Sequence, residues 1–169
     1  MSSSPALNRF KQIKTFIFDI DGVFTDNTIH INEQGEMLRT MNVRDGYAIK
    51  KAISKGYEII IITGGSSIGT SKRMQFLGIK EVHSGIQDKL SLYLELISKK
   101  NLKEEEILYM GDDLPDYKVM QRVGLACCPI DSVPEIIAIS HYISPLAGGK
   151  TCVRDVIERV LKLNDHWEY

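Results

Sequence analysis

Two aspartates, Asp19 and Asp21, stand two residues apart directly after a β-rich run, Thr15-Phe16-Ile17-Phe18. On an extended segment, residues at i and i+2 face the same side. Two carboxylates in one cleft repel unless a cation joins them. Gly22, Thr25 and Asp26 follow at once. Farther on, Thr63-Gly64-Gly65 closes an apolar run, and Lys89 sits at the start of a helical pattern. Gly111-Asp112-Asp113, with Asp116 one helical turn later, closes another. Hard oxygen ligands with room for water and a phosphate suit Mg²⁺. The Thr63 hydroxyl and the backbone N–H groups of a turn that opens a helix suit phosphate oxygens. Lys89 offers a point charge for the same anion. The chemistry this implies is phosphoryl transfer through an aspartyl-phosphate, since carboxylate is a known nucleophile. Asp21 can protonate the leaving oxygen and then activate water.

Each piece alone is common in loops, so the order of the pieces along the chain matters. The elements between them read as alternating strands and helices. Strands are expected at 15–20, 58–63, 81–84, 107–110, 125–128 and 142–143. Helices are expected at 45–56, 66–77, 88–100, 115–123, 133–139 and 150–163. Glu58–Thr63 is apolar almost throughout, the mark of a strand buried on both faces. Alternating βα units imply a Rossmann-like parallel sheet with helices on both faces. Ligands of such sheets bind outside the carboxyl ends of the strands. Every chemistry-bearing residue above is expected on that one rim. Residues 28–41 break the alternation and read as a small β-hairpin around Asn32-Glu33-Gln34-Gly35. No repeat or linker marks a boundary, so 1–169 reads as one domain, with 1–12 a flexible polar lead-in.

Twenty-one basic against 22 acidic side chains give a net charge of −1. Nucleic-acid binding generally needs a basic excess, so that class is not expected. No apolar run approaches the ~18 residues of a membrane span, and no signal-peptide core is present; a cytoplasmic location is expected. Three cysteines, Cys127, Cys128 and Cys152, make a poor disulfide framework. The adjacent pair reads as small hydrophobes of a buried strand. The four histidines form no zinc spacing. An EF-hand does not fit, because Phe24 stands where its loop needs glycine.

Asp19-Ile20-Asp21-Gly22-Val23-Phe24-Thr25-Asp26 resembles the first motif of the haloacid dehalogenase (HAD) superfamily. Thr63 resembles the second motif, Lys89 the third, and Gly111-Asp112-Asp113-Leu114-Pro115-Asp116 the fourth, in the family's order. The resemblance implies that Asp19 is the nucleophile and Asp21 the general acid/base. It implies Mg²⁺ held by Asp19, the Asp21 carbonyl and Asp112, with Asp113 and Asp116 behind them. Gly22, Thr63, Gly64 and Lys89 would bind the phosphoryl group.

About 37 residues separate Asp26 from Thr63, and about 26 separate Thr63 from Lys89. Neither gap holds a cap domain once core elements are placed. The chain is similar to the capless subclass typified by 3-deoxy-D-manno-octulosonate 8-phosphate (KDO 8-phosphate) phosphatases. Gly35-Glu36, Asn42-Val43-Arg44-Asp45-Gly46-Tyr47, Arg73, Gly85 to Lys89, and Ala147-Gly148-Gly149-Lys150 extend the likeness. This implies a small-molecule sugar-acid phosphate as substrate and a place in lipopolysaccharide precursor synthesis. It also implies a homotetramer in which hairpins meet and a neighbour covers each active site. Exposed apolar positions Ile29, Ile31, Met37 and Leu38 would gain from that burial. One departure stands out: many members carry Arg after the second-motif Thr-Gly, and here the residue is Gly65. Arg44, Arg73 or a neighbour's Lys150 could supply the charge. A nine-carbon sugar-acid 9-phosphate is the alternative substrate. A phospho-Asp receiver domain is the alternative class, but receivers carry the acceptor Asp on the third strand.

Overall fold

The computed structural model describes residues 5–168. Six strands form one sheet: β1 (Thr15–Phe18), β4 (Glu58–Ile62), β5 (Glu81–His83), β6 (Ile107–Met110), β7 (Leu125–Cys128) and β8 (Tyr142–Ile143). Their order is β5-β4-β1-β6-β7-β8, and every neighbouring pair is parallel. The remaining strands, β2 (His30–Ile31) and β3 (Met37–Leu38), pair antiparallel as a separate hairpin. Between the strands run α2 (Val43–Ser54), α3 (Ile68–Phe76), α4 (Lys89–Lys100), α5 (Tyr117–Met120) and α6 (Pro134–Ile139), and α7 (Cys152–Leu163) follows β8.

The period of two explains the continuous apolar runs. Phe16, Phe18, Ile59, Ile61, Leu108 and Met110 face one layer, closed by α2, α3 and α7. Ile17, Ile60, Ile62, Ile107 and Tyr109 face the other, closed by α4, α5 and α6. A strand with an apolar layer on each side has no polar face to show. Side-chain caps fix where the helices begin. Asn42 accepts from the Arg44 N–H, Ser67 from Thr70 and Asp88 from Ser91, each satisfying an orphan donor. Asn101, at φ 51° in the left-handed region, ends α4 after Lys99 and Lys100.

The expected flexible lead-in at 1–12 needs correction. Pro5–Gln12 is a helix, α1, and Phe10 is buried edge-on against the Tyr142 ring at 5.2 Å. An eight-residue segment is too short to be a stable helix on its own; tertiary packing, not propensity, makes it one. Residues 1–4 lie outside the described residues. The hairpin is also shorter than expected. It pairs only His30 with Leu38 and Ile31 with Met37. Asn32 shapes its turn by accepting from the Gln34 and Glu36 N–H groups. Cys127 and Cys128 lie fully buried in β7, and all three cysteines are free. No helix among the described residues is long and apolar enough to cross a membrane.

Candidate active site

The sheet grows in both directions from β1, so the chain reverses direction beside it. A crevice opens there, at the carboxyl ends of β4, β1 and β6. Asp19 follows β1, Thr63 follows β4, and Gly111-Asp112 follows β6. The Asp19 N–H donates to the Met110 carbonyl at 3.1 Å, so the β1 and β6 ends are tied together.

After Asp19 the chain turns sharply. The Ile20 carbonyl accepts from the N–H groups of Val23, Phe24 and Thr25 at 3.2, 2.9 and 3.3 Å. Gly22 takes φ +82°, and a Cβ there would stand 1.9 Å from Asp112 Oδ2. Only glycine allows both the left-handed backbone and the close approach of Asp112. The Gly22 N–H donates to Thr25 Oγ1 at 3.2 Å.

At the centre lies a cation among carboxylates. Lys89 Nζ stands 2.9 Å from Asp19 Oδ2 and 2.7 Å from Asp116 Oδ1. Lys89 opens α4, where a positive charge opposes the helix dipole. The two buried carboxylates overcome that. Burial would lower its pKa, but Asp116 and Asp19 hold the ammonium above its usual range. The Asp116 carboxylate is itself fully hydrogen-bonded. Tyr109 donates its hydroxyl to Oδ1 at 2.6 Å, and the Asp112 N–H donates to Oδ2 at 3.2 Å. Burial first, then the charges of Asp116 and Asp19, raise the Tyr109 phenol well above its ordinary value.

Ligand-capable oxygens of Asp19, Asp112 and Asp116, all buried, lie within 4.8 Å of one another. Burial, then the charge of Asp116, pushes the Asp19 carboxyl up to about 7. Burial likewise raises Asp112 to about 6, against a hydrogen bond from Asn27 at 2.8 Å. Three carboxylates face one lysine, so the cluster is short of positive charge. Hard, buried oxygens with that deficit suit a divalent cation such as Mg²⁺.

The other expected residues divide. Thr63 is buried, accepts from the Gly65 N–H at 3.3 Å, and shares a small cavity with Asp21, Gly65 and Arg39. Gly64 sits between Thr63 and Gly65 in that turn. Asp113 is exposed and caps the turn at Leu114, yet its charge still reaches Asp112. Arg73 lines a groove of about 700 Å³ between the hairpin and the start of α3. Arg44 lies elsewhere, beside Tyr47, Arg154 and Trp167. Lys150 is exposed, 3.9 Å from Asp26. The fold of one chain therefore brings neither Arg44 nor Lys150 to the acid cluster.

Three residues at the site escape a reading of the sequence. Asn27 holds Asp112 from a left-handed position at φ 64°. Its signal is an Asn directly after the acid-rich turn. Tyr109 reads as one more apolar strand residue until its hydroxyl finds Asp116. Arg39 reads as part of the hairpin, yet it grips Asp21 with two nitrogens, at 2.7 and 3.0 Å.

A parallel sheet with this rim of acids, one buried lysine and a threonine turn defines a hydrolase of the haloacid dehalogenase superfamily. A structure from Legionella pneumophila assigned to that superfamily matches with a TM-score of 0.92 at 33% identity, covering 95% of this chain and 88% of that one. No family model matches the chain. A curated relative from Yersinia pestis, the 3-deoxy-D-manno-octulosonate 8-phosphate phosphatase KdsC, is 37% identical over 162 residues, 96% of this chain and 87% of that protein. The Moraxella catarrhalis phosphatase of the same name, solved with magnesium, phosphate and KDO, has a TM-score of 0.92 at 33% identity, covering 95% of this chain and 93% of that one. The chain belongs to the KDO 8-phosphate phosphatase family.

Proposed function

We propose that this chain is a Mg²⁺-dependent phosphomonoesterase that converts KDO 8-phosphate to KDO and phosphate through an aspartyl-phosphate. The observation that carries this is Lys89 clamped between Asp19 and Asp116 beside Asp112, at the switch point of the sheet. The Moraxella relative, solved with magnesium, phosphate and KDO, supports both the metal and the substrate.

Asp19 attacks phosphorus through a carboxylate oxygen, and the ester P–O bond breaks. Asp21 gives its proton to the departing sugar oxygen. It then takes a proton from water, whose oxygen attacks the phosphoryl group and releases Asp19 and phosphate. The Thr63 hydroxyl, the backbone around Gly64, Gly22 and the Lys89 ammonium hold the phosphoryl oxygens. Asp19, Asp112 and the Asp21 carbonyl would hold Mg²⁺, which supplies positive charge against the phosphoryl oxygens when bound. Asp116 orients Lys89, and Asp113 fixes the turn behind Asp112.

The chain acts as one domain, and its hairpin is an assembly surface. Ile31, Met37 and Leu38 are more than half exposed on strands of two residues, which favours burial against other copies. A homotetramer of this kind would bring a neighbour's Lys150 near the site, while Arg73 acts from its own groove. Such an enzyme serves lipopolysaccharide precursor synthesis in the cytoplasm.

The test is phosphate release from KDO 8-phosphate and from a nine-carbon sugar-acid 9-phosphate, each with Mg²⁺ and with EDTA. Mg²⁺-dependent turnover with the higher kcat/KM on KDO 8-phosphate is expected. Preference for the nine-carbon acid would move the substrate assignment. A stable phospho-aspartate without turnover would favour a receiver.

A further inference from the structure

Arg39 lies just beyond β3, with its side chain only 7% exposed. Its Nε and Nη2 donate to the two oxygens of Asp21 at 2.7 and 3.0 Å, and Nη1 donates to the Met37 carbonyl at 3.3 Å. Arginine has five N–H donors, so two have no partner among the described residues. Arg39 lines the groove between the hairpin and α3, and also the small cavity of Thr63 and Asp21. It therefore stands where the phosphate-binding rim meets the space left for the rest of a substrate.

Gly65 explains how it fits. The backbone of Gly65 is outside the left-handed region, so its geometry does not demand glycine. Space is tight there instead: a Cβ would stand 3.0 Å from Asp21 Oδ2 and 3.1 Å from Arg39 Nη2, so the Asp21–Arg39 pair would have to give by a few tenths of an ångström. A side chain at 65 would crowd the Arg39 fork, and the glycine leaves the pairing with Asp21 undisturbed.

Resting on the phosphatase reading above, we propose that Arg39 is the residue that selects substrates carrying a carboxylate. Its fork passes from the Asp21 carboxylate to that of the substrate. Both partners are planar anions that match the same pair of N–H groups, so little hydrogen bonding is lost in the exchange. Asp21 is thereby freed to face the ester oxygen. A phosphate of a neutral sugar offers no replacement anion and leaves Asp21 clamped. Recognition of the acid group and release of the proton carrier become one event.

The experiment compares kcat/KM on KDO 8-phosphate and on mannose 6-phosphate, a neutral-sugar phosphate, both with Mg²⁺. For Arg39→Met the ratio of the two values is expected to fall about 10- to 100-fold, the effect of deleting charge-assisted hydrogen bonds. Arg39→Lys keeps a charge but loses the fork, and its ratio should fall by less. If the two substrates lose activity alike in Arg39→Met, Arg39 merely positions Asp21 and the proposal is overturned. Should Arg39→Met not fold, an unchanged ratio in Arg39→Lys overturns it equally. A wild-type enzyme that treats both phosphates alike refutes the substrate reading itself, a result distinct from either variant outcome.

Discussion

The carboxylate rim and the hairpin lie side by side and obey opposite rules. At the rim, Asp19, Lys89, Asp112 and Asp116 are all less than a tenth exposed, each held by named partners. On the hairpin, Ile31, Met37 and Leu38 are 69%, 55% and 53% exposed, on strands of two residues. The rim is complete within one chain because strands of the central sheet set the position of each acid. The hairpin is not, since two paired residues per strand cannot bury their own side chains. Arg39 is where the two meet, a residue next to the hairpin whose charge belongs to the rim.

The sharpest way to break this contrast is to remove the charge at its buried end. Lys89→Met leaves Asp19 and Asp116 facing each other with no cation between them. Stripping one partner from a buried ion pair costs about 3–5 kcal/mol. Urea denaturation of the metal-free variant should show a loss of that order, and with Mg²⁺ restored its phosphatase activity should still be lost. A loss below about 1 kcal/mol would mean that the cluster is far better solvated than its burial implies.

Next in size is a dependence on pH. Asp19 and Asp112 are raised to about 7 and about 6 from 3.8, by burial first and then by neighbouring carboxylates. The folded chain then holds protons that the unfolded chain has already released. Without metal, its stability falls as pH rises from about 4 to about 7. Mg²⁺ favours the ionised carboxylates and should flatten that fall. Asp45, buried beneath α7 and raised to about 6 by burial, contributes a share that Mg²⁺ does not remove. Thermal melts at pH 5 and pH 8, with Mg²⁺ and with EDTA, measure both parts. A Tm in EDTA that rises with pH contradicts the assignment.

These two regions also differ in how far the sequence discloses them. The parallel core was legible because a strand buried on both faces must be apolar along its length, as Ile59 to Ile62 are. The acids were legible because Asp19, Asp112 and Asp116 come directly before or after turns at strand ends. Arg39, Asn27 and Tyr109 were not: Asn27 and Arg39 act on acids in other segments of the chain, and Tyr109 reads as apolar strand filling until its hydroxyl meets Asp116. Helix α1 was hidden for a related reason. Its stability rests on Phe10 meeting Tyr142, far along the chain.

The smallest expected stability effect is at the hairpin. Ile31→Glu with Leu38→Glu should change the unfolding free energy of the separated chain by no more than about 0.5 kcal/mol, as exposed substitutions usually do. On the proposed hairpin assembly, the mass in solution should nevertheless drop below that of a tetramer by light scattering, and KM should rise. An unchanged mass would show that the hairpin is not the assembly surface.

The central claim is that Asp19 forms the covalent bond to phosphorus. Phosphate release from KDO 8-phosphate by Asp19→Asn, at saturating Mg²⁺ and with folding verified by circular dichroism, tests it most directly. The amide nearly matches the carboxylate in shape but is a poor nucleophile, so turnover should drop at least about a thousandfold. A folded Asp19→Asn enzyme that keeps wild-type turnover would contradict the account.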